Sequence, residues 1–178
     1  GSGSRLGAIQ TDLSAGSLQT TDRALDVGLR EDDYLFAINR TINGATETVY
    51  TRDGQFYLSP TEDSQLLQLT TKDGDPVLGV NGTIYISDGF DHIHINDRGQ
   101  IMTTYGNQTI QSGQLLISEV HVPHALEAVG QNAFRLIDTE GLGYNVEDII
   151  EQIVPTEAIV QSGVLEQSNV DLAKQMTD

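Results

Sequence analysis

The chain has 178 residues, with nine Lys or Arg against 26 Asp or Glu and a formal net charge of −17. That field repels phosphate backbones and anionic lipid, so nucleic acid and membrane surfaces are poor partners. There is no cysteine for a disulfide framework, no apolar run of the roughly 18 residues a membrane span needs, and no basic-then-apolar leader at the N-terminus.

The first four residues, "GSGS", read as a linker or scar and carry no fold information. From there to Thr20 the chain is spotted with single apolar residues, the pattern of an extended segment leading into a domain. From Leu25 to Ile137 it is written in short runs, "ALDVGL", "YLFAIN", "TVYT", "QFYLS", "LLQLT", "TIYIS", "HIHIN", "QLLIS" and "FRLID". Many of these alternate apolar with polar residues, as strands with one buried face do. Asp53-Gly54, Asp73-Gly74, Asn81-Gly82, Asp88-Gly89 and Arg98-Gly99 stand between them. Such pairs supply the positive φ that tight hairpin turns require. In "VYTRDGQFYLS" the pattern predicts a hairpin, Val49–Thr51 against Gln55–Leu58 around a two-residue Asp53-Gly54 turn. The fold class expected is mainly β: a hairpin-rich antiparallel sandwich or distorted barrel.

One internal segment departs from that grammar. In "NVEDIIEQIVP", Val146, Ile149, Ile150, Ile153 and Val154 fall at helical spacing, Asn145 is a possible cap, and Pro155 follows. A short amphipathic helix over 145–154 is expected, a β-branched strand pair being the alternative. At the C-terminus, Ser168 and Asp171 have capping-box-like spacing, and Val170, Leu172, Ala173 and Met176 share one face of a helix that has just begun. The domain reading is an extended segment 1–24, a β core 25–163, and the start of a helix within 164–178.

Candidate chemistry is thin. His92 and His94 alternate on a strand, and with Asp88 or Asp91 they offer metal ligands, but no third ligand is firmly placed. Two solvent-facing residues of a hairpin is the favoured reading. Asp88, Asp91, Asn96, Asp97 and Gly99 lack the ligand spacing and terminal Glu of a calcium loop. His121 and His124 bracket Pro123 at a strand end or exposed turn. No Gly-x-Ser-x-Gly, no cysteine nucleophile and no phosphate-binding glycine loop occurs, so neither enzyme chemistry nor a cofactor is expected.

Five stretches taken in order, "GAIQTDLSAGSLQTTDRALDVGL", "YTRDGQFYLS", "LTTKDGDPVLG", "LEAVGQNAFRL" and "SGVLEQSNVDLAKQMTD", resemble the bacterial flagellar rod and hook proteins, the basal-body rod type in particular. The Tyr-Thr-Arg-Asp-Gly-x-Phe and Leu-Glu-x-Ser-Asn-Val runs are specific in combination. "REDDYLFAI", Arg30 to Ile38, departs from the Gly-rich, double-Phe stretch of that family, as does the segment 145–154. These departures leave the subtype open between proximal rod, distal rod and hook-like. The resemblance implies a structural subunit that assembles helically with copies of itself and with neighbouring rod or hook subunits. It implies a place in the flagellar basal body outside the cytoplasmic membrane, reached through the flagellar export apparatus without a cleaved signal. It also implies a core fragment lacking the terminal coiled-coil helices, the N-terminal one missing and the C-terminal one cut short, with Val170, Leu172, Ala173 and Met176 as the assembly interface, and with the stretches 7–20 and 158–167 side by side. The rival readings are a wall-glycan-binding β module, which would need an aromatic platform, and a peptidoglycan hydrolase, which would need two carboxylates in a cleft.

Overall fold

The computed structural model describes residues 12–130, 132–138, 141 and 143–167. The chain enters through β1 (Leu18–Thr20) and β2 (Val27–Leu29), then forms β3 (Tyr34–Ile42), β4 (Ala45–Thr51), β5 (Phe56–Pro60) and β6 (Leu66–Thr71). Next come β7 (Leu78–Gly79), β8 (Gly82–Thr83), β9 (Tyr85–Ser87), β10 (His92–Ile95), β11 (Gln100–Tyr105) and β12 (Gln108–Gln114). It closes with β13 (Ile117–Val120), β14 (Leu126–Ala128), β15 (Ala133–Leu136), helix α1 (Val146–Ile149), β16 (Ile150–Ile153), β17 (Val160–Ser162) and β18 (Val164–Glu166).

Every pairing among the described strands is antiparallel, as the run lengths and turns predict. The largest sheet has the order β14-β15-β4-β3-β13-β16 and stays open at both ends, so the described strands form no closed barrel. Two three-stranded sheets, β5-β6-β9 and β10-β11-β12, share its main core. There Phe36, Ile38, Val49 and Ile117 from the large sheet meet Phe56, Leu69, Ile86, Ile95 and Ile101. Phe36 and Phe56 pack edge to face, 5.2 Å between ring centres. A second core on the opposite face gathers Leu13, Leu35, Val120, Leu126, Ile149 and Ile150. Strand β3 is therefore covered on both sides, which is why Leu35, Phe36, Ala37 and Ile38 are all buried where alternation would expose every other one.

Two expectations need correction. The Asp53-Gly54 pair does not turn a hairpin: β4 pairs with β3 and β15, whereas β5 pairs with β6 in another sheet. Gly54 does not have positive φ; it serves close approach, since a Cβ there would lie 1.9 Å from the Val27 carbonyl oxygen. The tight two-residue hairpin of this region is Asn43-Gly44, with φ of 52° and 82° between β3 and β4. The helix over 145–154 is a single turn, Val146–Ile149, after which the chain becomes β16 and pairs with β13. The Asp148 carboxylate accepts from the Asn145 N–H at 3.3 Å, so the start signal works. Beyond it, Ile150 and Ile153 gain more from completing a sheet edge than from a helical stripe, and Val146 and Val154 are left exposed. The C-terminal helix and its residues Val170, Leu172, Ala173 and Met176 lie outside the described residues.

Candidate functional site: the junction of the entering and leaving strands

The entering and leaving strands run as one antiparallel ribbon. β1 pairs with β18, Leu18 opposite Glu166 and Thr20 opposite Val164, and β2 pairs with β17, Val27 opposite Ser162 and Leu29 opposite Val160. On one side, residues 21–26 bulge out between the two ladders; on the other, the single Gly163 spans the gap at φ 75°. Gly163 accepts from the Thr21 N–H at 2.8 Å and donates to the Asp26 carbonyl at 2.8 Å, so the kink is hydrogen-bonded through. Leu18 and Val164 close over Gly28, where a Cβ would sit 2.7 Å from Leu18 Cδ2. Of the stretches 7–20 and 158–167 expected side by side, residues 16–20 and 163–167 are so placed, with the Gln167 N–H at 2.8 Å from the Ser17 carbonyl, whereas Val160–Ser162 pairs with β2 instead.

A buried ion pair fastens this ribbon to the core. Arg52, only 9% exposed, grips the Glu166 carboxylate with Nη2 at 2.7 Å and Nε at 2.8 Å. Its remaining donors reach the carbonyls of Tyr34 at 3.0 Å, Glu31 at 3.1 Å and Leu29 at 3.3 Å. The planar guanidinium, with five donors in fixed directions, suits such a node, tying β4, β2, the start of β3 and β18 at one point. Glu166 Oε1 also takes the Gly16 N–H at 2.8 Å, bringing in the segment before β1.

The residues flanking Arg52 hold it in place. Thr51 donates its hydroxyl to the Asn132 carbonyl at 2.7 Å and accepts the Asp53 N–H at 2.9 Å. Asp53 takes the Gln55 N–H at 3.1 Å. Gly54 then lies against Val27, whose N–H donates to the Gly54 carbonyl at 3.0 Å. The Thr-Arg-Asp-Gly run is thus a clasp, each position having its own contact. The two runs singled out in the sequence for their joint specificity meet physically, one supplying the arginine and the other the glutamate. Nothing in their separation of more than a hundred positions signals that contact.

Other groups near the junction are set by local contacts. The Asp12 carboxyl is held below its usual value, chiefly by the Ser14 hydroxyl at 2.6 Å and then by the Ser14 N–H at 3.0 Å. Arg23 pairs with buried Asp26, donates to the Phe56 carbonyl and lies 4.1 Å over the Tyr57 ring. His92 and His94 share one face of β10, ring centres 5.7 Å apart, and gather no third ligand among the described residues. His121 follows β13, and His124 sits in a 3-10 turn at Pro123–Ala125; both are exposed.

Residues 35–103 match the family model described as the flagellar hook protein FlgE/F/G D1 domain, which takes in β3 through most of β11. Over that stretch the chain is similar to the D1 domain of the flagellar hook and rod proteins. The chain as a whole is homologous to flagellar hook-basal body proteins. It is 36% identical over 165 residues to the flagellar hook-basal body complex protein FlhP of Bacillus subtilis, covering 92% of this chain and 58% of that protein. It is 32% identical over 183 residues to the flagellar basal-body rod protein FlgG of the same organism, covering 100% of this chain and 63% of that protein. With the basal-body rod protein FlgF of Salmonella typhimurium it shares 29% over 181 residues, 94% of this chain and 62% of the relative. The chain spans about three-fifths of the length of these relatives. All of them are basal-body components by name, and nothing among them supports a wall-glycan-binding or wall-cutting role.

Proposed function

We propose that this chain is the core part of a structural subunit of the bacterial flagellar rod, assembling helically into the shaft that carries torque to the hook. The observation that carries the reading is similarity along the whole chain to basal-body rod and hook-basal body proteins, with the D1 family model seated on the central sheets. The Arg52–Glu166 clasp supports it physically, because a subunit that transmits torque needs its strands to leave the domain at a fixed angle. In this proposal the partners are further copies and neighbouring rod or hook subunits. The place is the basal body outside the cytoplasmic membrane, reached by the flagellar export apparatus without a cleaved signal.

The proposed division is an extended segment 1–24, a core 25–163, and an assembly segment 164–178. Val170, Leu172, Ala173 and Met176 form the assembly face of the last segment. Head-to-tail contacts of that kind build open helical shafts rather than closed rings. The test is genetic and structural. Deleting the gene in its own bacterium is expected to abolish motility and leave basal bodies without a complete rod by electron microscopy. The intact gene restores both, and a version carrying Leu172→Asp and Met176→Asp does not. Motile cells with complete rods after deletion would overturn the proposal. Full rescue by the doubly substituted gene would overturn the assignment of the assembly face.

A further inference from the structure

We propose that Glu119, His121 and Glu151 form a binding site for one divalent transition-metal ion of the zinc type, bridging β13 to the edge strand β16. Register places the groups. Glu119 and Glu151 are directly opposite each other across the β13–β16 ladder, and His121 lies two residues beyond Glu119, on the same face. His121 Nε2 is 3.0 Å from Glu151 Oε1, and one ligand atom from each of the three residues lies within 4.8 Å of the others. Tetrahedral zinc with bonds near 2.1 Å needs ligand atoms about 3.4 Å apart. The gap is one that rotation of half-exposed carboxylates can close.

The backbone beneath is fixed. The His121 and Val122 N–H groups both donate to the Ile149 carbonyl, at 2.7 and 3.3 Å, and Ile149 itself is buried. The arrangement also leaves a charge problem that a cation would relieve. Two carboxylates directly opposed on neighbouring strands repel, and Tyr34 on β3 stands opposite Glu119 on its other side. The cavity alongside, about 660 Å³, is lined by Glu31, Asp32, Asp33 and Tyr34 with Arg30, and Glu119 and His121 stand on its wall. One imidazole with two carboxylates selects a borderline ion over calcium or magnesium, which take oxygen ligands. Among the described residues no other group brings three such ligands together. The proposal does not depend on the rod reading.

The experiment is calorimetric titration of the chain with zinc chloride, with thermal melts in zinc and in EDTA. One ion per chain and a zinc-dependent rise in Tm are expected. Both His121→Ala and Glu151→Gln should weaken binding by more than about tenfold, the least that losing a direct ligand costs when loss of a supporting group costs that much. Their melts in EDTA should match the parent, which separates ligand loss from misfolding. A variant carrying His92→Ala and His94→Ala should bind like the parent. No saturable binding, unchanged affinity in His121→Ala and Glu151→Gln, or loss of binding in the His92/His94 variant would each overturn the assignment.

Discussion

Removing the arginine of the clasp is the sharpest perturbation the structure offers. Arg52→Ala strips Glu166 of its bidentate partner and leaves the carbonyls of Leu29, Glu31 and Tyr34 without this donor. Breaking a buried pair from one side costs about 3–5 kcal/mol. The Glu166 side chain retains 13% exposure and its hydrogen bond from Gly16, so part of the desolvation is recoverable and the lower end, about 3 kcal/mol, is expected. Glu166→Gln is isosteric and leaves the three carbonyl contacts, but it removes the charge and sets an amide NH2 donor where one oxygen accepted from Arg52, costing about 2 kcal/mol, in the range for hydrogen bonds to charged groups. Arg52→Lys keeps the charge and loses the fork, and should fall between the parent and Arg52→Ala. Urea unfolding of the three variants and the Arg52→Ala/Glu166→Gln double variant gives a coupling energy, expected near 2 kcal/mol. Hydrogen exchange should show the β18 amides opening first in Arg52→Ala. Arg52→Ala within about 0.5 kcal/mol of the parent, the range of an ordinary surface change, or a coupling near zero, would refute the view that this pair fastens the ribbon.

Four further outcomes follow from single positions. Gly54→Ala forces a Cβ into the Val27 carbonyl and should cost more than about 3 kcal/mol, whereas Gly44→Ala meets open space and pays only for its φ of 82°, about 1–2 kcal/mol; equal urea midpoints for the two would refute the close-approach role. The Ser118 hydroxyl is fully buried with no hydrogen-bond partner, so Ser118→Ala should leave stability unchanged or raise it by about 1 kcal/mol; a clear loss in thermal unfolding would show a missed partner. Burial pushes the half-buried Tyr50 phenol above its usual value of 10.0. Above that pH the folded chain holds a proton the unfolded chain has released, so stability falls as pH rises, and Tyr50→Phe should flatten this alkaline limb in melts between pH 9 and pH 11, a window of about one unit either side of the ordinary tyrosine value.

The strand content was legible because each run buries one face and stops at a turn residue; all nine quoted runs overlap strands of the structure. What alternation cannot give is which strand pairs with which. Asp53-Gly54 has the composition of a turn, yet Gly54 is glycine because Val27 leaves no room for a side chain, and the two requirements look identical in a sequence. Strand β12 was harder to read for another reason. Gln108 to Gln111 are all exposed, so the hydrophobic signal is nearly absent although the Gly106 turn at φ 62° is well formed; its partner β11 does alternate, with Ile101 and Thr103 buried, but one of its two buried residues is a threonine. At 146–153 the capping chemistry was read correctly and the element's length was not, since a partner strand remote in sequence took over after one turn. The clasp was visible only as two separate runs of familiar residues; their contact is a property of the topology.

The ribbon also determines how the domain answers to force. Its two strands leave at the same place and are antiparallel, with Ser17 beside Gln167. Separating them sideways loads the rungs one at a time, and the ladder opens like a zip. Drawing both along their common axis loads them together and separates no rung. Between these two directions sits the Arg52–Glu166 rivet, which joins the leaving strand to β4 and not to its ribbon partner. A sideways pull on β18 therefore opens the outermost rung, Gln167 to Ser17, and then meets Arg52 and the sheet behind it, so peeling from that side stops after one hydrogen bond.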